Sequence, residues 1–556
     1  MGRLTRLALT KIEDEIGDWR GSDVIGEVGN TGELLPFSQV RPPTNPYSAD
    51  ELPFRQTPSP PRAIKPMYSK VAGAWFANFA PGFIGVVKDL WNGPLSPSFT
   101  FSDTLKYTGD SVPTDELDDE VVKEVDGFFY KSFENIPSVK PLSSLDDVRL
   151  PSKSNPGFPA MFYASNRKSA LERILDAGSY IRDILSGGLQ HFWVVLGRSA
   201  RTSRDVVKAR AVLCPDTSFH SVASMLIQPS NDVLTQHNED LPIAVGASIF
   251  NGGPDKMAKY LMADSEDRVY FSIDVSRYDS TFPRWLYDRV IGLRLMLLDF
   301  VNTLFSASTW TKLLRIIYEN VISGPIILSN YVLKRQHGMP SGWGGTAHDD
   351  SIGHFWLFLY GAATIVKSKF GADAITDFFR SVRLKISGDD LVGSVSTRFR
   401  PIFDSLISSY RKVGFTVKEE NFCVSDDLEG LTWCKRTFRR YGGRWVFWRP
   451  VSDFVSSLFY PDWKVGSRNY ALSRLYYAAT SWRLENPFDR CTWSLSGSIG
   501  DTLNAMGVTA EDAMNWINER VVYRGIGSGV HNYVTLPSLE EVEKAHGFRF
   551  DAERLS

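Results

Sequence analysis

Four aspartates stand at places where strands should end. Asp274 and Asp279 lie five positions apart in FSIDVSRYDS, and Asp389 and Asp390 follow a glycine in RLKISGDDLVGSV. Alone, an aspartate at a strand end is ordinarily a turn residue or a helix cap, and an Asp-Asp pair is ordinarily a polar bend. Burying such charges is costly unless something pairs with them. Taken together, two strand-end carboxylates from different strands can hold a pair of Mg²⁺ ions about 3.5–4 Å apart. Magnesium prefers carboxylate oxygens plus substrate phosphates to a full protein cage. The chemistry implied is in-line phosphoryl transfer, with carboxylates from the two strands able to hold two Mg²⁺ (or Mn²⁺) ions.

Two more stretches fit that chemistry. GMPSGWGGTAHDDSIGHFW (338–356) lies after the first acids and before the second. Its glycines predict a tight, mobile loop that brings backbone amides and the Ser341 hydroxyl to a sugar-phosphate. A plain glycine-rich connection is the simpler reading. GRSARTSRDVVKARAVL (197–213) carries four arginines and one lysine against one acid between Arg198 and Arg210. It is either a solvated loop or a triphosphate site, since Arg and Lys clamp phosphate. Strand-like alternation in VVKARAVL would point Lys208 and Arg210 to one face.

The positioning elements follow from periodicity. RVYFSIDV (268–275) reads as a strand, and Pro283 opens a helix with Leu286, Val290, Leu293 and Leu297 at helical spacing. Thr346 starts a second helix with Ile352, Phe355, Trp356 and Leu359 on one stripe. RLKIS and LVGSV form a hairpin around the Gly-Asp-Asp turn. IFDSLISSYRKV (402–413) is a helix stopped by Gly414. The region after about 450 is mostly helical, with a Ser538/Glu541 capping box before a last short helix. TDELDDEVVKEVD (114–126) reads as a solvated helix face. Nine prolines in residues 36–66 exclude a packed helix, leaving a disordered tail or an arm anchored by Tyr47, Phe54 and Ile64.

Composition sets the outer bounds. The chain of 556 residues is 43% hydrophobic and 23% charged, with a formal net charge of −2, so any polyanion site must come from local clusters. Four scattered cysteines form no C-x-x-C pair and eight histidines show no ligand spacing. With no membrane-length apolar stretch and no signal-peptide start, the expectation is a soluble, intracellular protein.

The order of a basic strand, D-x4-D, SGxxxT and GDD resembles the motif series of viral RNA-dependent RNA polymerases. DVSRYDSTFPRWL, PSGWGGTAHDDSI, SNPGFPA (154–160) and KRTFRRYGGRW (435–445) are most similar to the partitivirus–picobirnavirus group of double-stranded RNA viruses. Asp350 stands where many plus-strand virus polymerases have Asn. The resemblance runs from about 150 to 450. It implies that Asp274 and Asp389, with Asp390 close by, are the metal ligands. Asp279, Ser341, Thr346 and Asp350 would sense the ribose 2′-hydroxyl, and Lys208 and Arg210 would hold the triphosphate. Arg198, Arg201, Arg204, Lys435 and Arg436 would grip RNA. The family often has a lysine as general acid for pyrophosphate. Here Asn421 occupies that position, leaving Lys418 as the candidate and Lys412 as another. CVSDDLEG (423–430) contains a second Asp pair, which follows the helix after GDD and reads as a loop.

The fold implied is α+β, a right-hand polymerase with an antiparallel palm sheet, closed by fingertips and the N-terminal arm. Residues 1–66 form a Pro-rich extension, 67–260 with 300–340 the fingers, 261–299 with 341–450 the palm and 451–556 the thumb. The stretch Lys435–Arg449, with Trp445 and Trp448, suits a nascent duplex, or its tryptophans pack into the core. The implied partners are template and product RNA, ribonucleoside triphosphates and a viral capsid protein, with no membrane, in the virion interior or host cytoplasm. A reverse transcriptase and a non-catalytic RNA-binding virion protein are the alternatives. A cellular two-metal phosphatase or nuclease lacks the expected histidine cluster.

Overall fold

Alternating apolar residues and one two-residue turn build the sheet at the centre of the chain. In the computed structural model, Arg268–Ser276 lies between Asp390–Ser396 and Thr416–Ser425, and Arg383–Ser387 completes the order at the far side of Asp390–Ser396. All neighbours are antiparallel. The structure describes residues 24–28, 34–36, 69–87, 90–92, 100, 103–108, 117–151, 154–158, 160–162, 164–171, 177–186, 191–199, 201–203, 209–250, 252–263, 267–328, 331–460, 468–509, 511–512 and 536–546. The proline-rich arm with Tyr47, Phe54 and Ile64, and the cations Arg204 and Lys208, lie outside them.

One face of this sheet is covered by helices Arg284–Met296, Thr346–Phe370 and Phe403–Lys412, which share its core. Phe271 of the central strand stacks on Phe358 at 5.1 Å, and Leu384, Ile386 and Leu391 are buried beside them. The helix at Thr346 starts where the sequence placed it. Pro283 caps the helix of Arg284–Met296 from an extended conformation. Gly414, at φ +90, ends the run after Phe403–Lys412.

The acidic run presents a solvated face, with Asp119, Glu120 and Glu124 exposed, and also makes tertiary contacts. Asp118 caps the helix Asp119–Lys131, which buries Val121, Val125 and Phe129. Three of its acids, Asp118, Glu120 and Asp126, are partners of the long helix. Lys367 reaches Asp118 at 2.8 Å, and the Trp356 indole donates to Asp126. The pairing is tertiary, so no local pattern announces it.

A second, six-stranded sheet runs in the order Leu34–Pro36, Val24–Val28, Tyr331–Leu333, Ile326–Leu328, Trp193–Ser199 and Ala209–Pro215. A hairpin of Arg436–Tyr441 and Arg444–Trp448 is joined by Thr432–Trp433. In that hairpin Trp445 is only 7% exposed and lies under the Arg440 guanidinium at 4.6 Å, while Trp448 is half-buried. Trp445 therefore packs as core rather than presenting a stacking face.

The C-terminal helices Val451–Phe459, Arg468–Glu485 and Arg490–Ala505 form their own core, and helix Lys70–Phe79 belongs to it. Trp75 and Phe76 are buried there, with the Trp75 indole 3.1 Å from Thr502 Oγ1. Residues 69–87 thus pack with the C-terminal helices. The reason is their apolar face, which finds the helical cluster and no sheet. Ser538 and Glu541 cap the last helix reciprocally, as expected.

Candidate active site

Register brings the acids together. Asp390 lies directly opposite Asp274 in adjacent antiparallel strands, so both side chains leave the same face of the sheet. Ser387 pairs with Asp390, leaving Gly388 and Asp389 as a two-residue turn. Gly388 has φ +67 and Asp389 is not left-handed, the pattern of a type II′ hairpin. The long helix grips this turn from behind. Ser351 Oγ accepts from Gly388 N at 2.8 Å, and His354 Nδ1 lies 3.1 Å from Gly388 O.

The acids raise one another. Asp389 is exposed at its turn, yet the protein mass around it pushes its carboxyl up to about 7, with repulsion from Asp390 and Asp274 adding to the effect. Burial, then Asp274, pushes Asp390 up to about 6. Opposing that, the N–H and thiol of Cys434 and the Lys435 ammonium act on Asp390 to hold its carboxyl down. Cys434 and Lys435 form the turn of a neighbouring hairpin with φ +49 and +61, a left-handed pair without glycine. Non-glycine residues held this way store strain, which gathers at functional sites. Asp274 is engaged from the other side, where Asn421 Nδ2 donates to its Oδ2 at 3.0 Å.

Among the described residues no three carboxylate, imidazole or thiol groups are gathered closely enough to cage a metal. The set does fit magnesium bound in part by substrate. A carboxylate edge whose members raise one another lacks positive charge, and phosphate and water would supply the remaining oxygens.

The ribose candidates sit behind this edge. Asp279 accepts from the Tyr107 hydroxyl at 2.8 Å and from Ser280 N. Asp350 is buried, and its Oδ1 has no hydrogen-bond partner. Burial, then Asp279 and Asp389, hold its carboxyl well above the usual range. Thr346 turns its hydroxyl back onto Pro340 O and Trp343 O, each at 2.8 Å, and so ties its own loop. Ser341 is exposed, with Oγ 3.4 Å from Leu213 N and Ala211 O.

That contact sets the glycine-rich loop against the strand Ala209–Pro215. The glycines serve close packing rather than the mobility expected of them. A Cβ on Gly342 would lie 2.2 Å from Leu213 O, one on Gly344 2.6 Å from His220 Nε2, and one on Gly345 2.5 Å from Asp349 Oδ2. Asp349 is fully buried and accepts from Arg294 Nε and Nη2 (3.0 and 2.6 Å), Tyr318 Oη (2.9 Å) and Trp343 Nε1 (2.8 Å).

Arg198 and Arg210 face each other across antiparallel strands, and both are exposed. Like charges placed opposite are destabilising, a cost that a bound polyanion would offset. Arg201 donates to Asp453 O and Ser456 Oγ, and Arg436 reaches Glu485 at 3.4 Å. Both of these expected RNA contacts therefore also brace the C-terminal helices. Lys418 is exposed, 3.7 Å from Glu420. The second Asp pair is a surface turn, with Asp426 paired to Arg400 and Asp427 to Arg440. The sequence reading missed Tyr107, Cys434 and Asp349. Of these, only Asp349 had a local cue, an acid on the first turn of an apolar helix.

A four-stranded antiparallel sheet carrying paired acids on one edge and backed by helices defines a right-hand nucleotidyl-transfer fold. The viral RNA-dependent RNA polymerase family profile matches residues 201–491, over half of the chain, and the chain belongs to that family. The RNA-dependent RNA polymerase of a human picobirnavirus has a TM-score of 0.62 at 14% identity, covering 85% of this chain and 92% of that one. The sicinivirus 3Dpol polymerase scores 0.55 at 14% identity, covering 73% and 85%. The non-structural polyprotein 1AB of Turkey astrovirus 1 is 28% identical over 257 residues, which is 45% of this chain. The chain spans 16% of that polyprotein. A Plum pox potyvirus genome polyprotein is 26% identical over 189 residues, 33% of this chain and 6% of that polyprotein. Among the described residues no helix is long and apolar enough to cross a membrane.

Proposed function

We propose that the chain copies an RNA template into RNA by two-metal transfer of ribonucleotides onto an RNA 3′-end. The observation that carries this reading is the register that sets Asp274 opposite Asp390, beside the turn that projects Asp389. These three carboxylates would hold two Mg²⁺ ions, which when bound supply the positive charge that favours an attacking hydroxyl and a departing pyrophosphate. The chain's own groups then bind and orient. Arg210, with Lys208, takes the triphosphate, while Arg198, Arg201, Arg204, Lys435 and Arg436 grip RNA phosphates. Asp279, Asp350, Ser341 and Thr346 read the ribose. Tyr107 fixes one oxygen of Asp279, which leaves the other oriented by Ser280 N. Lys418 would have to leave Glu420 to serve as proton donor to pyrophosphate.

The motif resemblance of residues 150–450 is the ground on which we infer a double-stranded RNA virus, a capsid partner and work in the virion interior or host cytoplasm; the likeness to the picobirnavirus enzyme is one of fold. The test is synthesis by purified protein on a defined single-stranded template with Mg²⁺ and four ribonucleotides. Asp389→Ala should abolish synthesis and leave RNA binding mostly intact. Equal synthesis by wild type and Asp389→Ala would overturn the assignment. Preference for deoxyribonucleotides would favour a reverse transcriptase.

A further inference from the structure

We propose that Asn421 is a positioning residue for Asp274, a neutral clasp that sets the carboxylate for metal without cancelling its charge. The proposal deepens the reading above and rests on it for the identity of the site.

The argument begins with a slip in register. Strand Thr416–Ser425 pairs with the central strand at Val417 opposite Val275, and pairing resumes at Phe422 opposite Ile273. Residues 418–421 therefore face the single residue Asp274. Such bulges re-aim a side chain and are frequent beside active sites. Of the four bulged residues, Lys418, Glu419 and Glu420 are exposed, and only Asn421 is half-buried. Its Nδ2 donates to Asp274 Oδ2 at 3.0 Å. An ionised carboxylate offers acceptors alone, which fixes the orientation of the amide.

The choice of donor matters. An ammonium at this place would also satisfy the oxygen, but it would compete with cations for the carboxylate charge. The bulge instead turns its lysine away to Glu420, 3.7 Å distant, and turns a carboxamide inward. One Asp274 oxygen is thus held by a neutral donor, on the carboxylate that lies opposite Asp390. Outer partners of metal-ligating carboxylates of this kind are worth roughly 10–100-fold in metal affinity.

The test reads metal binding directly. Mn²⁺ is titrated calorimetrically into the full chain without nucleotide or RNA. Asn421→Ala should weaken Mn²⁺ binding by roughly 10–100-fold, with a melting temperature near that of wild type. Asn421→Lys keeps a donor but adds a charge, and should weaken binding as well. In synthesis assays the half-saturating Mn²⁺ for Asn421→Ala should rise by the same factor, with turnover recovering at high metal. Wild-type Mn²⁺ affinity in Asn421→Ala would overturn the proposal. So would a variant whose rate falls equally at every Mn²⁺ concentration, or an Asn421→Lys protein that binds Mn²⁺ normally. A wild-type chain that shows the metal effect but makes no RNA would count against the polymerase reading and leave this inference standing.

Discussion

The buried bond between Trp343 and Asp349 should set the conformation of the loop that carries Ser341 and Thr346. Two substitutions attack it in opposite ways. Trp343→Phe keeps the ring and removes the donor that lies 2.8 Å from Asp349 Oδ2. Hydrogen bonds to charged groups contribute about 1.5–3 kcal/mol. Arg294 and Tyr318 still satisfy Asp349, so the loss should fall at the lower end, about 1.5–2 kcal/mol. Gly345→Ala leaves both partners and wedges between them, its Cβ 2.5 Å from Asp349 Oδ2 and 2.6 Å from Trp343 Nε1. Overpacking of that kind costs about 1–3 kcal/mol. Each variant should lose roughly tenfold in kcat/KM for ribonucleotides, since about 1.4 kcal/mol is a factor of ten. Both act through one bond, so the double variant should be little worse than the worse single. Denaturant unfolding and steady-state kinetics on the four proteins complete the cycle. Energies that add to within about 0.5 kcal/mol would mean two independent defects and refute the shared latch.

Two further outcomes follow from the site. Asp350→Asn should be tolerated and should flatten the pH dependence of stability. The folded state raises the Asp350 carboxyl far above its ordinary 3.8, so this group costs wild type stability as pH rises from about 4, a loss the variant is spared while the raised Asp389 and Asp390 contribute in both. Melting curves at pH about 5 and about 8 check the sign, and a larger gain at the lower pH would contradict it. Gly388→Ala should lower synthesis by about tenfold without changing RNA affinity. A Cβ there meets nothing within 4 Å, so the cost is the left-handed backbone alone, about 1–2 kcal/mol. Unchanged synthesis would show that the turn accepts a side chain.

Local chemistry made much of the site legible. The strand of Asp274, the Gly-Asp-Asp hairpin, the helix start at Thr346 and the cap at Ser538 each follow from periodicity or turn residues within a few positions. What escaped is what depends on distant partners. Tyr107 meets Asp279 across 172 residues and Asn421 meets Asp274 across 147. A bulge leaves no mark in an alternating pattern, so no local signal shows that Asn421 rather than Lys418 turns toward Asp274. The glycines from 342 to 345 suggested motion because composition cannot distinguish freedom from crowding. The solvated face of the acidic run was legible, but its partners Lys367 and Trp356 were not, because they sit on another helix.

The union of helix Lys70–Phe79 with the C-terminal helices bears on how the protein is made. Trp75 and Thr502 are 427 residues apart in the chain. At about 5–20 residues per second, a ribosome needs roughly 20–85 s to deliver the second after the first. Phe459, which packs on Phe76 at 4.9 Å, is made earlier, but until the last helices follow, the side of the early helix that carries Trp75 lacks its full native cover. Nascent chains should therefore depend on chaperones, and truncation before the last helices should send the N-terminal part into aggregates rather than leave a smaller folded body.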